Sequence, residues 1–424
     1  MSSIRRDTVF NLLGNGIPLI VALITIPALL VALGPTDFGL LSIMWALIGY
    51  FGIFDLGIGR ALTYEIATAE IRGRREVLPR LMKAGALLTC LAGVLAAILV
   101  FGVLAPNGAQ WFKTAGSDVA TVTEAFQWIA LAVIPTTMTS GLRGALEGFK
   151  RFLEANVNRT VIGVLMFAAP YWCVQLGHAD LPTIAQSLAV ARVLVLLLAY
   201  WQLRQYFLTG EHPHRSDFVP LIRFGSWITL SATLSPLMVY GDRFVVSAVV
   251  GAAAVAAYAI PQEGLQRLLI LPMSLAGALM PRVAAKTDRA EIMADYRRNT
   301  LRVAIVMLPV CGIAAILAEP FLSWWISPDF AAGSSVVAII LCVGLWFNSI
   351  AQIPITFLHA AGNPRAVALV HVAELFGYVL LVYLLASSFG VSGAAWAWTI
   401  RVAFDYFLLH LMFRRYGCGL ADQG

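Results

Sequence analysis

Long apolar runs separated by short polar links make up almost the whole chain. About twelve are long enough to cross a bilayer, at roughly 20 residues per crossing. They lie near 9–33, 38–69, 82–104, 122–147, 157–177, 182–207, 222–249, 254–281, 300–326, 333–358, 365–387 and 393–413. Gly34-Pro35, Pro106-Asn107-Gly108, Ser327-Pro328 and Gly362-Asn363-Pro364 mark breaks between runs. The longest polar links fall around 70–80, 208–222 and 282–299. The pattern predicts an all-α polytopic membrane protein of about twelve transmembrane helices.

Composition agrees. Of 424 residues 60% are hydrophobic and 12% charged, where a soluble domain carries about 25% charged residues. No large soluble domain fits between the runs. Cys90, Cys173, Cys311, Cys342 and Cys418 form no CxxC pair and read as small core residues. No Walker A loop, zinc-ligand spacing, dinucleotide-binding glycines or nucleophile elbow is present, so the sequence implies neither an enzyme nor a cofactor nor a metal.

The chain is basic, with 29 Lys+Arg against 23 Asp+Glu. Of the 29, 22 fall at the termini and in every second link, and Lys113 alone falls in the opposite set. That asymmetry predicts both termini in the cytoplasm and an even number of spans. It also replaces a nucleic-acid reading of the charge. Arg5 and Arg6 precede a first run too long for a signal-peptide core, which reads as an uncleaved span.

The two halves look related. Val31-Ala32-Leu33-Gly34 and Val249-Val250-Gly251 each lead into a span that ends at a basic link. Gly148-Phe149-Lys150-Arg151 matches Gly362-Asn363-Pro364-Arg365 in place. The sequence therefore predicts two pseudo-symmetric six-helix lobes, 1–210 and 211–424, as a parallel repeat around a central cavity. Pro18, Pro27, Pro236, Pro261, Pro272, Pro309 and Pro320 would kink their helices. Gly85, Thr89, Gly93 and Ala97 form a small-residue ridge for helix packing.

The remaining charges stand inside the runs, where each costs several kcal/mol unless it faces protein or water. Phe54-Asp55-Leu56-Gly57-Ile58-Gly59-Arg60 is the densest such stretch, and Asp55 and Arg60 could neutralise each other. Arg143 and Glu147, Glu263 and Arg267, and Arg401 and Asp405 are each four apart on one helical face and can pair internally. Asp242 and Arg243 are adjacent and point about 100° apart, so they need different partners. Glu374 shares a face with His371, and Arg192 has no charged neighbour in its own run. Arg60, Arg143, Arg192, Arg243, Arg267 and Arg401 are candidates to bind an anionic substrate, because guanidinium matches phosphate oxygens in bidentate fashion. Asp55, Asp242, Glu263, Glu374 and Asp405 are candidates for a coupling proton or Na⁺.

The stretches 31–40 and 54–60, together with Gly241-Asp242-Arg243-Phe244-Val245-Val246 and Ala361-Gly362-Asn363-Pro364, carry a resemblance. The chain resembles the polysaccharide or O-antigen flippases of the multidrug/oligosaccharidyl-lipid/polysaccharide exporter superfamily. The resemblance implies two six-helix lobes working by alternating access in the bacterial inner membrane. The substrate it implies is an undecaprenyl-diphosphate-linked oligosaccharide, moved from the cytoplasmic to the periplasmic leaflet. Membrane lipids and polysaccharide assembly proteins are the partners it implies, and Asp55, Arg60, Asp242 and Arg243 are the positions that match its motifs. Two alternatives are a cation-coupled multidrug exporter of the same superfamily and a membrane-embedded glycan polymerase or transferase. Six intramembrane arginines argue against the first. The small outer loop near 105–121, with only Lys113 and Asp118, argues against the second.

Overall fold

The computed structural model describes the backbone of residues 2–51, 55–114, 118–284, 286, 288–361 and 364–416. Among these residues the chain is helical, with no strand. Two compact units emerge, Met1–Tyr240 and Gly241–Gly424. Eight helical stretches are long and apolar enough to cross a membrane among the described residues.

In the first unit α1 (Ser2–Phe51) bends at Gly34, whose φ of 74° and ψ of 169° leave the helical region. The chain resumes as α2 (Ile58–Ile71), so the apolar run 38–69 is two helical pieces rather than one span. Leu56 (φ 53°) and Gly57 (φ 67°) turn left-handed at the break. The third run is longer than its hydropathy suggested. After α3 (Leu78–Leu99) comes one π-helical turn, and α4 (Ala105–Trp111) follows without a loop. Pro106 does not end the helix there: its missing N–H falls next to the π-helical turn, where the regular α-helical ladder is already interrupted. α5 (Val119–Gly148), α6 (Phe152–Gln175) and α7 (Leu181–Phe207) follow with short links.

α5 is the inner post of this unit, and α2, α3 and α7 all pack on it. Small residues set the spacing. A Cβ on Gly144 of α5 would run into the Gly59 carbonyl of α2, and one on Gly93 of α3 into Thr137 and Ile134. Thr137 donates to the Thr89 carbonyl at 3.1 Å, and Thr63 to the Gly144 carbonyl at 2.8 Å. The small-residue ridge of α3 thus lies against α2 and α5, with Thr89 buried.

α8 (Arg215–Val249) crosses the border between the units; its side chains at 224–239, Pro236 among them, lie outside the described residues. The second unit continues with α9 (Ala252–Gln266), a 3₁₀ turn over Arg267–Leu269, α10 (Ile270–Ala284), α11 (Arg289–Trp325) and α12 (Pro328–Ala360). α13 (Pro364–Tyr416) bends at Gly390. Its halves run antiparallel: His371 meets Asp405, and Glu374 meets Arg401. α12 is the hub here, packing on α9, α10, α11 and α13. Gly251, before α9, takes φ 122° and ψ 160°, close in kind to Gly34 within α1. Only glycine adopts either conformation cheaply. The two glycines of the proposed repeat therefore turn the chain alike.

Candidate functional site

Asp55 closes the break between α1 and α2. Its Oδ1 accepts from the Gly57 N–H at 3.0 Å and its Oδ2 from the Gly59 N–H at 3.0 Å. Ser140 of α5 adds a hydroxyl to Oδ2 at 3.1 Å. The carboxylate satisfies two orphan donors at the start of α2 and ties that end to α5. It forms no ion pair with Arg60, which stands exposed on the first turn of α2. The neutralising Asp55–Arg60 contact considered from the sequence is absent. Phe54 lies outside the described residues.

Arg143 and Glu147 form the expected pair at 3.9 Å, but both side chains are more than two-fifths exposed, where an ion pair adds little. Arg192 lies on the buried stripe of α7, in register with Ala185, Leu188, Val195 and Ala199. It is half-buried, and it makes no ion pair or hydrogen bond to any described residue.

The second unit gathers the other charges. Asp242 is buried on α8, and its Oδ2 accepts from Tyr258 Oη at 2.7 Å, Tyr378 Oη at 3.0 Å and Gln262 Nε2 at 3.1 Å. Its Oδ1 has no hydrogen-bond donor among the described residues. Arg243, also buried, pairs with Glu263 of α9 at 2.9 Å. Adjacent residues thus find different partners, as their divergent directions require.

Two pairings differ from the expected ones. Glu263 goes to Arg243 rather than to Arg267, because Arg267 stands exposed in the 3₁₀ turn, where the helical i,i+4 register has lapsed. Arg401 approaches Glu374 at 3.8 Å, and Asp405 approaches His371 at 3.5 Å. The fold-back of α13 offers each a partner on the facing half, and the local Arg401–Asp405 pair gives way.

Sequence reasoning missed Tyr258, Gln262 and Tyr378. Tyr258 and Gln262 stand four apart on α9, a spacing that puts two polar groups on one face of an apolar helix. Tyr378 continues the His371, Glu374 face by another turn. The chemical capacity of the cluster follows from its members. Tyrosine hydroxyls and a glutamine amide can each donate or, once turned, accept. Asp242 can therefore hold a proton or lose it without stranding its neighbours. Among the described residues no group of three His, Cys, Asp or Glu side chains could hold a metal ion.

Residues 4–287 match a family described as polysaccharide biosynthesis protein. A Shigella flexneri protein named "Putative O-antigen transporter" is 32% identical over 417 residues, covering 97% of this chain and 98% of that protein. Among solved structures, a multidrug resistance MATE family transporter of the MOP superfamily, in its inward-facing conformation, aligns with a TM-score of 0.78 at 15% identity. That alignment covers 99% of this chain and 96% of the other. A MOP superfamily transporter from Pyrococcus furiosus, whose binding pocket is described as having reverse polarity, aligns with a TM-score of 0.68 at 14% identity. It covers 98% of this chain and 96% of that one. At such identities the likeness concerns the fold alone.

Proposed function

The chain belongs to the polysaccharide biosynthesis protein family and is a multi-pass membrane transporter rather than an enzyme; from that premise we propose that it is a flippase for a lipid-linked oligosaccharide. The substrate is an undecaprenyl-diphosphate-linked glycan, moved by alternating access from the cytoplasmic to the periplasmic leaflet of a bacterial inner membrane. Both termini lie in the cytoplasm. The relative of O-antigen transporter name, alike along nearly its whole length, supports the substrate class. Polysaccharide assembly proteins would supply and consume that substrate.

The observation that carries the chemistry is Arg192. A half-buried guanidinium on the inner face of an apolar helix, without an acid beside it, needs an anion. A diphosphate head group supplies one while its lipid tail stays in the bilayer. Each charge-assisted bond is worth about 1.5–3 kcal/mol, so one lost arginine weakens head-group binding about tenfold or more. Arg60 and Arg267, both exposed, are further positions for the head group or for phospholipid. Arg143, Arg243 and Arg401 already face acids at 3.9, 2.9 and 3.8 Å, and they hold the site's charge balance instead. The coupling ion belongs to the second unit, with Asp242, Glu263, Glu374 and Asp405. Asp55, whose oxygens are taken up by backbone donors, acts as a helix cap in this scheme.

Deleting the chain should leave lipid-linked oligosaccharide trapped on the cytoplasmic side and strip the matching surface glycan. Arg192→Ala should do the same at normal membrane abundance, with Arg192→Lys restoring part of the export, since lysine keeps charge but loses the fork. Normal export by Arg192→Ala at normal abundance would sink the head-group role. Altered resistance to organic cations with unchanged glycan export would instead favour the multidrug alternative.

A further inference from the structure

Four side chains of α13 close a square. His371 Nε2 lies 3.5 Å from Asp405 Oδ1, and one turn deeper Glu374 Oε2 lies 3.8 Å from Arg401 Nε. His371 and Glu374 share a face at i,i+3, and Arg401 and Asp405 at i,i+4. The square holds two carboxylates and one permanent cation. With His371 neutral it is one positive charge short, and a single proton balances it.

Exposure is graded across the square. The His371 side chain is 21% exposed and Arg401 12%, against 4% for Asp405 and 2% for Glu374. The imidazole is therefore the most open member of the square. Neither oxygen of Glu374 nor Oδ1 of Asp405 has a hydrogen-bond donor among the described residues. On the inner side the Arg401 guanidinium lies over the Tyr378 ring at 5.4 Å, and Tyr378 donates to Asp242. The square is thus continuous with the buried Asp242 cluster. The groups around His371 are Glu374, Arg401 and Asp405 of its own folded helix, with His359 of α12 in electrostatic reach. The Arg243–Glu263 pair of α8 and α9 lies beyond Asp242.

We propose that His371 is the group through which a coupling proton enters and leaves this unit, and that the coupling ion is H⁺ rather than Na⁺. A proton from water binds the Nε2 lone pair of neutral His371 and makes an imidazolium opposite Asp405. That N–H bond then breaks as an O–H bond forms on Asp405 Oδ1, which returns His371 to neutral with nothing oxidised or reduced. The remaining carboxylate, Glu374, stays with Arg401. Na⁺ cannot ride on an imidazolium, and a hard cation wants a shell of oxygens. The guanidinium inside this square repels it. The inference rests on the coupling part of the function proposed above, but its test involves no glycan. Its failure would leave the flippase reading standing.

The test is stopped-flow proton uptake by the purified full-length chain in detergent, jumped from mildly alkaline to mildly acidic pH with an indicator dye. The Glu374→Gln/Asp405→Asn double variant should lose the uptake and so identify it. His371→Ala should slow it about 100-fold, the low end of what a positioned proton-transfer group contributes. Added imidazole should restore the rate, which a merely structural role for His371 would not allow. His410→Gln, at the Tyr296 hydrogen bond of 2.6 Å, should leave it unchanged. His371→Gln serves the same comparison where the alanine variant fails to accumulate. Wild-type uptake rates in His371 variants, or slowing that imidazole does not reverse, would overturn the proposal. So would uptake suppressed by Na⁺ in the wild type.

Discussion

Asp55 and Asp242 are both buried carboxylates in apolar helical surroundings, at 7% and 2% exposure, yet their neighbours differ in kind. Asp55 is held by two backbone N–H groups and one serine hydroxyl. A backbone N–H only donates and cannot turn. Protonating Asp55 therefore sets a donor against donors. Asp242 is held by two tyrosine hydroxyls and a glutamine amide, each able to reverse its role. It tolerates both protonation states. One acid is built into the backbone of the fold, and the other is built to change. The identity of the donors, more than the degree of burial, separates them.

The largest effect should come from Asp55→Ala. It strands two buried N–H groups and a hydroxyl, each costing about 1–3 kcal/mol, so a loss of several kcal/mol is expected. Leu56 in the left-handed region adds about 1 kcal/mol of strain that the cap no longer offsets. Thermal unfolding of the detergent-solubilised protein should show a lowered Tm and poor membrane accumulation. Asp55→Asn should recover only part, since its Oδ1 still accepts one N–H while its NH₂ meets the other. Normal Tm with lost export would transfer Asp55 to the chemical side of the comparison.

Asp242→Asn comes next and reads out differently. The protein should accumulate and melt normally, because hydroxyls and amide can rearrange around the new group. Glycan export should fall about 100-fold, as for the loss of a proton-transfer group. Export that persists at wild-type level, with normal protein abundance, would remove Asp242 from coupling.

Much of this was legible in the sequence. Apolar run length marked nearly every helix, and the charged positions inside runs named most of the second unit's cluster. What stayed hidden depends on geometry that one-dimensional spacing does not carry. The break at 55–57 interrupts a run of unbroken hydropathy, and only the left-handed turn at Leu56 and Gly57 reveals it. Pairing by i,i+4 suggested Glu263–Arg267 and Arg401–Asp405. The 3₁₀ turn at Arg267 and the bend at Gly390 re-partnered both acids. Tyr258, Gln262 and Tyr378 carry no charge and so gave no signal inside an apolar helix. That Arg192 has no acid at helical spacing is visible in the sequence, and in the fold no described residue pairs with it.

The smallest effect sharpens the comparison by placing the Asp55 job in water. Asp180 caps α7, and its Oδ1 accepts the Thr183 N–H at 2.9 Å, but it is exposed. Its slight burial raises its pKa, and the Thr183 N–H and hydroxyl outweigh that, leaving the carboxyl below its ordinary range. A depressed folded pKa means the contribution is present above the unfolded value and is lost as pH falls through the folded one. The cap should therefore act at neutral pH and fade below about pH 4. Asp180→Ala should cost at most about 1 kcal/mol, because water replaces the lost acceptor. Melting curves for the wild type and Asp180→Ala should differ slightly at neutral pH and converge in acid. A Tm loss as large as that of Asp55→Ala would mean that burial is not what makes Asp55 indispensable. The contrast between backbone-held and side-chain-held acids would then need another cause.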